Sequence, residues 1–402
     1  MSNKIVVLGF SGGLDTTFCV KYLGEDKGYD VHSVIVNTGG FTEEELANIE
    51  AHAYALGVKS HKTVNAVKGY YDRIIKYLVM GNVLKNNTYP LSVSAERLIQ
   101  ALHIAEHAIE LKADAVAHGS TGAGNDQVRF DMVFHNMIPG VEIITPIRDM
   151  KLSRESEIEY LKNKGVDMSI AKSAYSINKG LWGTSVGGRE TLVSKGMLPE
   201  EAWPTQVTKH GTEEVVLGFE KGELVRINGE TFAHPVEAIQ KLQAISAPYG
   251  IGRDVHVGDT IIGIKGRVGF EAAAPMIILK AHHLLEKHVL TKWQLNWKDQ
   301  LALFYGNWLH EGQILDPVMR DIEAFFTNTQ QTVNGDVWVQ LYPYRYQLNG
   351  IESKFDLMSS KFGKYGEMNS GFTGDDVRGF SRIFGNQTAI HQAVQKDAHE
   401  QD

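Results

Sequence analysis

The sequence predicts an N-terminal α/β domain on a parallel sheet, then a separate α+β domain and a terminal amphipathic helix. Three observations predict it. Over residues 1–165, short β-branched runs alternate with longer amphipathic stretches, the pattern of a parallel sheet flanked by helices. Over residues 166–370 the pattern turns to hairpins with short glycine turns, as in a second domain. Over residues 371–402, Val377, Phe380, Phe384, His391 and Val394 fall near one helical face, suited to an oligomer strap or to docking on the chain's own domain.

The elements follow in order. Ile5 to Phe10 reads as a buried strand, with a glycine turn and a helical stretch through Tyr22 behind it. Val31 to Asn37 is the second strand, broken by Thr38-Gly39-Gly40. Thr42 and Glu45 have capping-box spacing and open a helix that runs to Leu56, where Gly57 stops it. A third strand lies at Ser60 to Val64, and a helical region follows, interrupted at Asn86-Asn87-Thr88-Tyr89-Pro90 and resumed from Ala95 to Lys112. Ala115 to His118 is a short strand that ends in a polar, glycine-rich loop. In the second domain, Val215 to Phe219, Leu224 to Ile227, Thr260 to Ile264 and Val337 to Tyr342 read as strands, and Leu284 to Phe304 as a helix. There is no internal repeat or low-complexity stretch.

Composition narrows the partners. Lys plus Arg is 40 and Asp plus Glu is 48, a net charge of −8 with no long block of either sign, which disfavours a broad nucleic-acid surface. A small anion is not disfavoured, because a few local N–H groups and cations suffice to hold a phosphate. The single cysteine, Cys19, excludes a disulfide framework and a multi-cysteine zinc site, and no apolar run reaches membrane-spanning length. With no signal-peptide pattern after Met1, the chain reads as soluble and cytoplasmic, without nucleic-acid or membrane partners.

Two loops carry the chemistry. Ser11-Gly12-Gly13-Leu14-Asp15-Thr16 lies between a buried strand and a helix, where two glycines let the backbone turn tightly and the helix start offers unpaired N–H groups to an anion. A plain glycine turn with Asp15 as a helix-start residue accounts for the same pattern. The lysine of the common NTPase phosphate loop is absent. The loop resembles that of the N-type ATP pyrophosphatases, which bind the β- and γ-phosphates and release pyrophosphate after attack at the α-phosphorus. That resemblance makes Asp15 the residue that helps place magnesium. The second loop, His118 to Phe130, packs three glycines, hydroxyls, an amide, a carboxylate and an arginine at a strand's C-terminal end, where open α/β sheets bind ligands.

The run Thr121-Gly122-Ala123-Gly124-Asn125-Asp126-Gln127-Val128-Arg129-Phe130 closely resembles the TGxGNDQVRF signature of argininosuccinate synthases. The resemblance extends along the chain through Tyr175-Ser176-Ile177, Leu181-Trp182-Gly183 and Ser185, Gly252-Arg253 to Arg267 and Glu271, and Tyr89, Ser94 and Arg97. It implies a PP-loop nucleotide domain of the adenine nucleotide α-hydrolase type, a synthetase domain, a homotetramer, and ATP and Mg2+ without a tightly bound organic cofactor. The reaction it implies joins citrulline to aspartate: the ureido oxygen attacks the α-phosphorus, pyrophosphate leaves, and the aspartate amine displaces AMP. Carried over by position, Gly9, Phe10, Ser11, Gly12, Gly13, Leu14, Asp15, Thr16 and Thr17 would hold ATP with Val36, Ala117, His118, Gly119, Ser120, Thr121, Gly122, Ala123, Gly124 and Asn125. Thr121, Asn125 and Asp126 would hold aspartate. Tyr89, Ser94, Asn125, Arg129, Ser176 and Ser185 would hold citrulline. Asp15, Asp126 and Arg129 are the residues nearest the chemistry, which needs no side-chain nucleophile and rests on alignment and charge neutralisation.

The sequence departs from the family at several of these places. Ala123 stands where the family has lysine, so a cation near the phosphates comes from elsewhere or is not needed; Asn178-Lys179-Gly180 replaces its DEN. Gly258 and Phe270 fall on a glutamate and a tyrosine that bind the amino-acid end of citrulline. Loss of that carboxylate suggests open space and an N-acylated citrulline, with Arg253, Lys265 or Arg267 to meet an acyl carboxylate. The bland alternative has Asp259 replace the glutamate through a bulge. Another PP-loop ligase forming AMP and pyrophosphate, and a nucleotide-sensing module without catalysis, are the remaining readings. His282-His283 with His288 does not make a metal set; Cys19 reads as a packed thiol, and Trp293 and Trp297 as a packing face.

Overall fold

A computed structural model describes residues 3–168, 175–359, 363, 365–367 and 371–400. Its first sheet comprises β1 (Ile5–Gly9), β2 (Asp30–Asn37), β3 (Ser60–Asn65), β4 (Ala115–Ala117) and β5 (Glu142–Ile144), all parallel, in the order β3-β2-β1-β4-β5. The strands are short and strongly apolar at the centre, where Val6, Val7, Leu8, Ala115, Val116 and Ala117 have no exposure, as expected of a sheet covered on both faces. Strand order reverses at β1, so the loops that leave β1 and β4 open away from each other and a crevice forms between them.

The helices of this region are α1 (Leu14–Lys21), α2 (Glu43–Leu56), α3 (Val67–Tyr70), α4 (Lys76–Met80), α5 (Ser92–Leu111), α6 (Asp126–Met137), α7 (Pro146–Asp149) and α8 (Arg154–Asn163). The expected caps of α2 are both present: Thr42 and Glu45 form a reciprocal capping box, and Gly57 takes the left-handed conformation with φ 99°. α1 is prolonged by a wide turn over Tyr22–Asp26. α5 begins at Ser92, earlier than expected, and packs against β1 and β2 closely enough that a Cβ on Gly9 would press on Ile104.

Two antiparallel sheets follow. β6 (Tyr175–Gly180), β7 (Gly183–Gly188), β11 (Arg253–Asp259) and β12 (Lys265–Glu271) form one in the order β11-β12-β7-β6. β8 (Glu213–Glu220), β9 (Glu223–Ile227), β10 (Glu230–Thr231), β13 (Gly335–Tyr342) and β14 (Arg345–Glu352) form the other in the order β10-β9-β8-β13-β14. α9 (Pro235–Ser246), α10 (Ala273–Val289), α11 (Lys292–His310) and α12 (Pro317–Thr329) complete this part. Two expectations are corrected. Thr260 to Ile264 is a hairpin tip: Thr260 N–H reaches the Ile264 carbonyl at 2.8 Å and Gly263 turns with φ 82°, which overrides the β-branched composition. Leu284 to Phe304 is two helices, because Thr291 caps a new one through a capping box with Gln294. Trp293 and Trp297 are 65% and 57% exposed, so they do not pack within the chain.

Residues Met1–Ser353 form one compact unit and Lys354–Asp402 a second. The second contains α13 (Gly374–Phe384), capped by Thr373 and Asp376, and α14 (Asn386–His399). Its apolar residues Val377, Phe380, Ile383, Phe384, Ile390 and Val394 are all exposed. The boundary expected at residue 370 lies outside the described residues.

A buried polar network joins α10, α11 and the turn after α4. Lys298 Nζ donates to Glu286 at 2.9 Å and to the Met80 carbonyl at 3.0 Å, while Asn82 and Gln330 donate to the same carboxylate at 2.6 and 2.8 Å. Lys298, Glu286 and His282 have no exposure, and His282 sits between Asn82 Oδ1 and Gln330 Oε1 rather than in a metal set. Such a pair is costly to break because the surviving charge stays buried. Lys298→Ala is expected to lower unfolding stability by about 3–5 kcal/mol, measured by urea denaturation of the full chain; a loss below about 1 kcal/mol would refute the assignment.

Candidate functional site

The first loop sits where α1 begins. Gly13 is the N-cap of α1, in extended conformation with no side-chain cap, so the N–H groups of the first turn keep free valences, and Gly12 has φ 75°. Of the residues expected there, Phe10, Leu14 and Thr17 are buried, and Thr17 Oγ1 bonds His52 Nε2 at 3.2 Å. Ser11 and Gly13 are exposed, and Gly9, Gly12, Asp15 and Thr16 are half-buried. Behind Asp15 lies Glu157 of α8, whose carboxyl is pushed up to about 8 by burial and then by the Asp15 charge. Cys19 is buried, and burial with the two carboxylates pushes its thiol up, consistent with a packed role.

The second loop leaves β4 and meets the first across the crevice. A Cβ on Gly119 would lie 3.2–3.3 Å from Asp15 and Thr16, so the two loops approach closely here and a side chain would need the neighbours to give by a few tenths of an ångström. Gln127 Nε2 braces the loop by donating to the Gly122 and Gly124 carbonyls at 2.8 and 3.1 Å. His118 is buried below, its Nδ1 accepting from Ser120 N–H at 3.3 Å and its Nε2 bonding Asp131 at 3.0 Å. Arg148 completes the set by donating to Asp131 at 2.7 Å, and its stem lies against Gly122. Arg148 thus backs the loop in which Ala123 carries no charge. Sequence reading missed it, since it lies on another element and matches no motif.

Below the loops, one guanidinium organises the floor. Arg129 is 3% exposed; its Nη2 donates to Ser94 Oγ at 2.9 Å, its Nη1 to Asp126 at 3.0 Å and its Nε to the His310 carbonyl at 3.0 Å. Asp126 receives Arg97 Nε on its other oxygen at 3.0 Å. Burial pushes this carboxyl up, but Arg97 and Arg129 outweigh it and hold it below the usual range. Arg97 continues to Asn178 Oδ1 at 2.8 Å, and Asn178 to Ser185 Oγ at 3.3 Å, which ties α5 and α6 to β6 and β7. His310 Nδ1 lies 3.2 Å from Arg129 Nη2 and so accepts, placing its proton on Nε2. Burial, then Arg129 and Lys85, push this imidazole down to about 3.

One face of the β11-β12-β7-β6 sheet supplies the wall. Cross-strand register puts Ser176, Ser185, Phe270, His256 and Gly258 on the same side, by the pairs Asn178↔Ser185, Ser185↔Phe270, Phe270↔Asp254 and Gly258↔Gly266. Tyr89 packs its ring between His256 and Phe270, with centroids at 5.2 and 5.5 Å, and its hydroxyl accepts from Val93 N–H at 2.9 Å. Asn125 Oδ1 accepts from Ile261 N–H at 2.8 Å, so the β11–β12 tip rests on the second loop. Val36 lies buried on β2 beside β1.

Three expectations about this wall are corrected. Gly258 does not face open space, because a Cβ there would overlap Nε2 of His256, two residues earlier on the same face. Asp259 does not slide into its place: the β11–β12 register is unbroken, and Asp259 is 59% exposed and paired with Lys265 at 2.6 Å. Arg253 is spent on Glu271 and Glu200, Arg267 on the carbonyls of Glu190 and Gly196, and Lys265 on Asp259, so none is free for an acyl carboxylate.

Residues 5–167 match the family model described as the arginosuccinate synthase N-terminal HUP domain, and residues 175–391 match that of the arginosuccinate synthase C-terminal domain. An argininosuccinate synthase of Methanocaldococcus jannaschii is 37% identical over 98% of this chain and 99% of its own. One from Xanthomonas campestris is 36% identical over 98% and 100%, and one from Sulfolobus acidocaldarius 33% identical over 96% and 98%. With both halves matched and relatives aligned over nearly their full length, the chain belongs to the argininosuccinate synthase family.

Proposed function

We propose that the chain ligates citrulline and aspartate at the expense of ATP, releasing AMP and pyrophosphate through a citrullyl-adenylate. The observation that carries this reading is the meeting of the two loops at the sheet's switch point, with the Arg129–Asp126 pair on the helix that follows the second loop. The free N–H groups at the start of α1, with Gly12 and Gly13, are suited to the β- and γ-phosphates. Arg148 lies behind Gly122 but is paired with Asp131 and Asp149, so it steadies the loop rather than standing in for the cation that Ala123 lacks. Ser120, Thr121 and Asn125 line the mouth of the second loop, where Thr121 and Asn125 would meet aspartate oxygens and Asp126 its ammonium. Arg129 and Ser94 would hold the citrulline side, with Ser185 and Ser176 on the sheet face and Tyr89 shaping the wall. Both nucleophiles belong to substrates, so the protein's contribution is alignment and a fixed positive environment for the α-phosphorus.

Magnesium would arrive on the nucleotide. Among the described residues there is no group of three or more His, Cys, Asp or Glu side chains that would hold a metal by itself. Asp15 fits a contact to a phosphate-bound cation, since it stands in the first turn of α1 beside the phosphate loop and next to the Glu157 carboxyl. Its role there would be to fix the cation's position.

We read residues 1–165 as the nucleotide domain, 166–370 as the synthetase domain and 371–402 as an oligomer strap of a cytoplasmic homotetramer. The exposed apolar residues of α13 and α14 support the strap, and no described helix is long and apolar enough to cross a membrane. A second reading, the same ligation on an N-acylated citrulline, is favoured by the wall: Gly258 carries no carboxylate and the unbroken register keeps Asp259 from replacing one.

Pyrophosphate release is expected to require ATP and a ureido substrate together, and AMP displacement to require aspartate. ATP binding with no AMP under any substrate combination would instead identify a sensor, and AMP formation indifferent to aspartate another ligase. Arg129→Ala is expected to lower kcat/KM by about a hundredfold or more, the scale of one lost charge-stabilising donor, without rescue by Arg129→Lys, which lacks the fork. Removing residues 373–402 is expected to reduce the mass in light scattering from a tetramer to smaller species; an unchanged mass would remove the strap.

A further inference from the structure

Taking the ligase reading as given, we propose that Asp131 is a positioning residue for the reaction. Through His118 it fixes the Ser120 N–H, and with it the turn of the second loop that meets the first. His118, which the family resemblance places among the residues around ATP, is 2% exposed, and both its ring nitrogens are spent on protein groups. Its part is to hold the loop from below.

The proton on this imidazole is located by its partners. Ser120 N–H donates to Nδ1 at 3.3 Å, so Nδ1 carries no proton and the ring's own N–H is on Nε2. Asp131 Oδ1 lies 3.0 Å from Nε2 and accepts from it. A bond from a backbone N–H to a side chain two residues earlier is the geometry of an Asx-turn, here with an imidazole nitrogen in place of a carboxamide oxygen. A carboxamide oxygen always accepts, whereas Nδ1 accepts in one tautomer only, and Asp131 is the group that selects it.

Further contacts fix the relay. The ring stacks on Phe130 with centroids 5.2 Å apart and has Phe134 at 6.2 Å, which holds its plane. Arg148 Nη1 donates to Asp131 Oδ2 at 2.7 Å, leaving Oδ1 to the imidazole. A guanidinium only donates, so Arg148 demands an oxygen from whatever side chain stands at position 131.

The bond lies where the loop has little room to move. Gly119, between His118 and Ser120, is the residue whose Cβ would come within 3.2–3.3 Å of Asp15 and Thr16, and Thr121 follows directly. A Ser120 N–H turned away from His118 displaces this turn, and the segment read as holding ATP moves with it. Asp131→Asn separates the relay from packing, because the two side chains have nearly the same shape. Arg148 keeps the carboxamide oxygen, the amide group then faces His118 Nε2, and the ring proton moves to Nδ1, where it opposes the Ser120 N–H. Removing the guanidinium with Arg148→Met lets the carboxamide turn over, so that its oxygen accepts from Nε2 again.

The test measures KM for ATP and kcat in pyrophosphate release by the full chain, with aspartate and citrulline, or Nα-acetylcitrulline if the native chain prefers it. Asp131→Asn is expected to raise KM for ATP about tenfold, the worth of one buried donor left unmet, and to change kcat by less than about threefold. Adding Arg148→Met to Asp131→Asn is expected to recover most of that loss, a reversal that independent packing defects do not give. His118→Asn, whose oxygen can take the Ser120 N–H without help from Asp131, is expected to raise KM about fivefold less than His118→Leu, which offers no acceptor. An unchanged KM in Asp131→Asn, a double variant as impaired as the single one, or equal KM values in the two His118 variants overturns the proposal and leaves the ligase reading intact. The His118 pair decides should Asp131→Asn fail to fold. A native chain that forms no AMP or pyrophosphate with any ureido compound overturns the ligase reading, and this one with it.

Discussion

The buried guanidinium of Arg129 is the constraint on which the floor of the site depends. A charge that is 3% exposed survives only when its donors are matched, and here Ser94, Asp126 and the end of α11 at His310 match them. Each partner comes from a different helix, so satisfying one charge fixes α5, α6 and α11 relative to one another. Asp126 passes the constraint on through Arg97 to Asn178 and Ser185, and thereby to the antiparallel sheet. The groups that would touch substrates are in this way also the groups that hold the second domain's sheet against the first domain's helices.

Above that floor, the proposed phosphate site is assembled almost without side-chain charge. The chain is acidic overall, and the phosphate loop carries an aspartate rather than a lysine. Backbone N–H groups at the start of α1 do not depend on net charge, since their dipoles act over only a few ångströms. The close approach of Gly119 to Asp15 and Thr16 brings the second loop against the first, leaving little clearance for a side chain there. Net charge therefore governs solubility and long-range encounter, and the crevice governs binding.

What could be read in advance follows from how local each signal is. The β1 loop, the α2 caps at Thr42, Glu45 and Gly57, and the parallel alternation are set by neighbours in sequence, and the structure carries all of them. Thr260 to Ile264 misled because its composition favours a strand while Gly263 and the Thr260–Ile264 pairing make a tip, a choice settled by the strands on either side. Trp293 and Trp297 misled differently: their i,i+4 spacing defines a stripe but not which way it faces. Arg148, Lys85, His256 and His310 were silent, because each acquires its meaning from elements far away in the chain. His310, for instance, gains its partner only when α11 brings it against Arg129 of α6.

The glycine at position 258 shows how such placement changes the meaning of a residue. Taken alone, it is a lost anion and a gap. In register, it lies beside Gly266 on a strand whose preceding same-face residue is His256, so the gap is filled by an imidazole whose other nitrogen is left unpaired. Burial and the nearby Lys85 push that imidazole toward its neutral form. A neutral ring carries one donor and one acceptor nitrogen and adds no charge to its surroundings. The polarity of this corner of the pocket is thus set by which side chain occupies the space above Gly258, and that in turn by strand register.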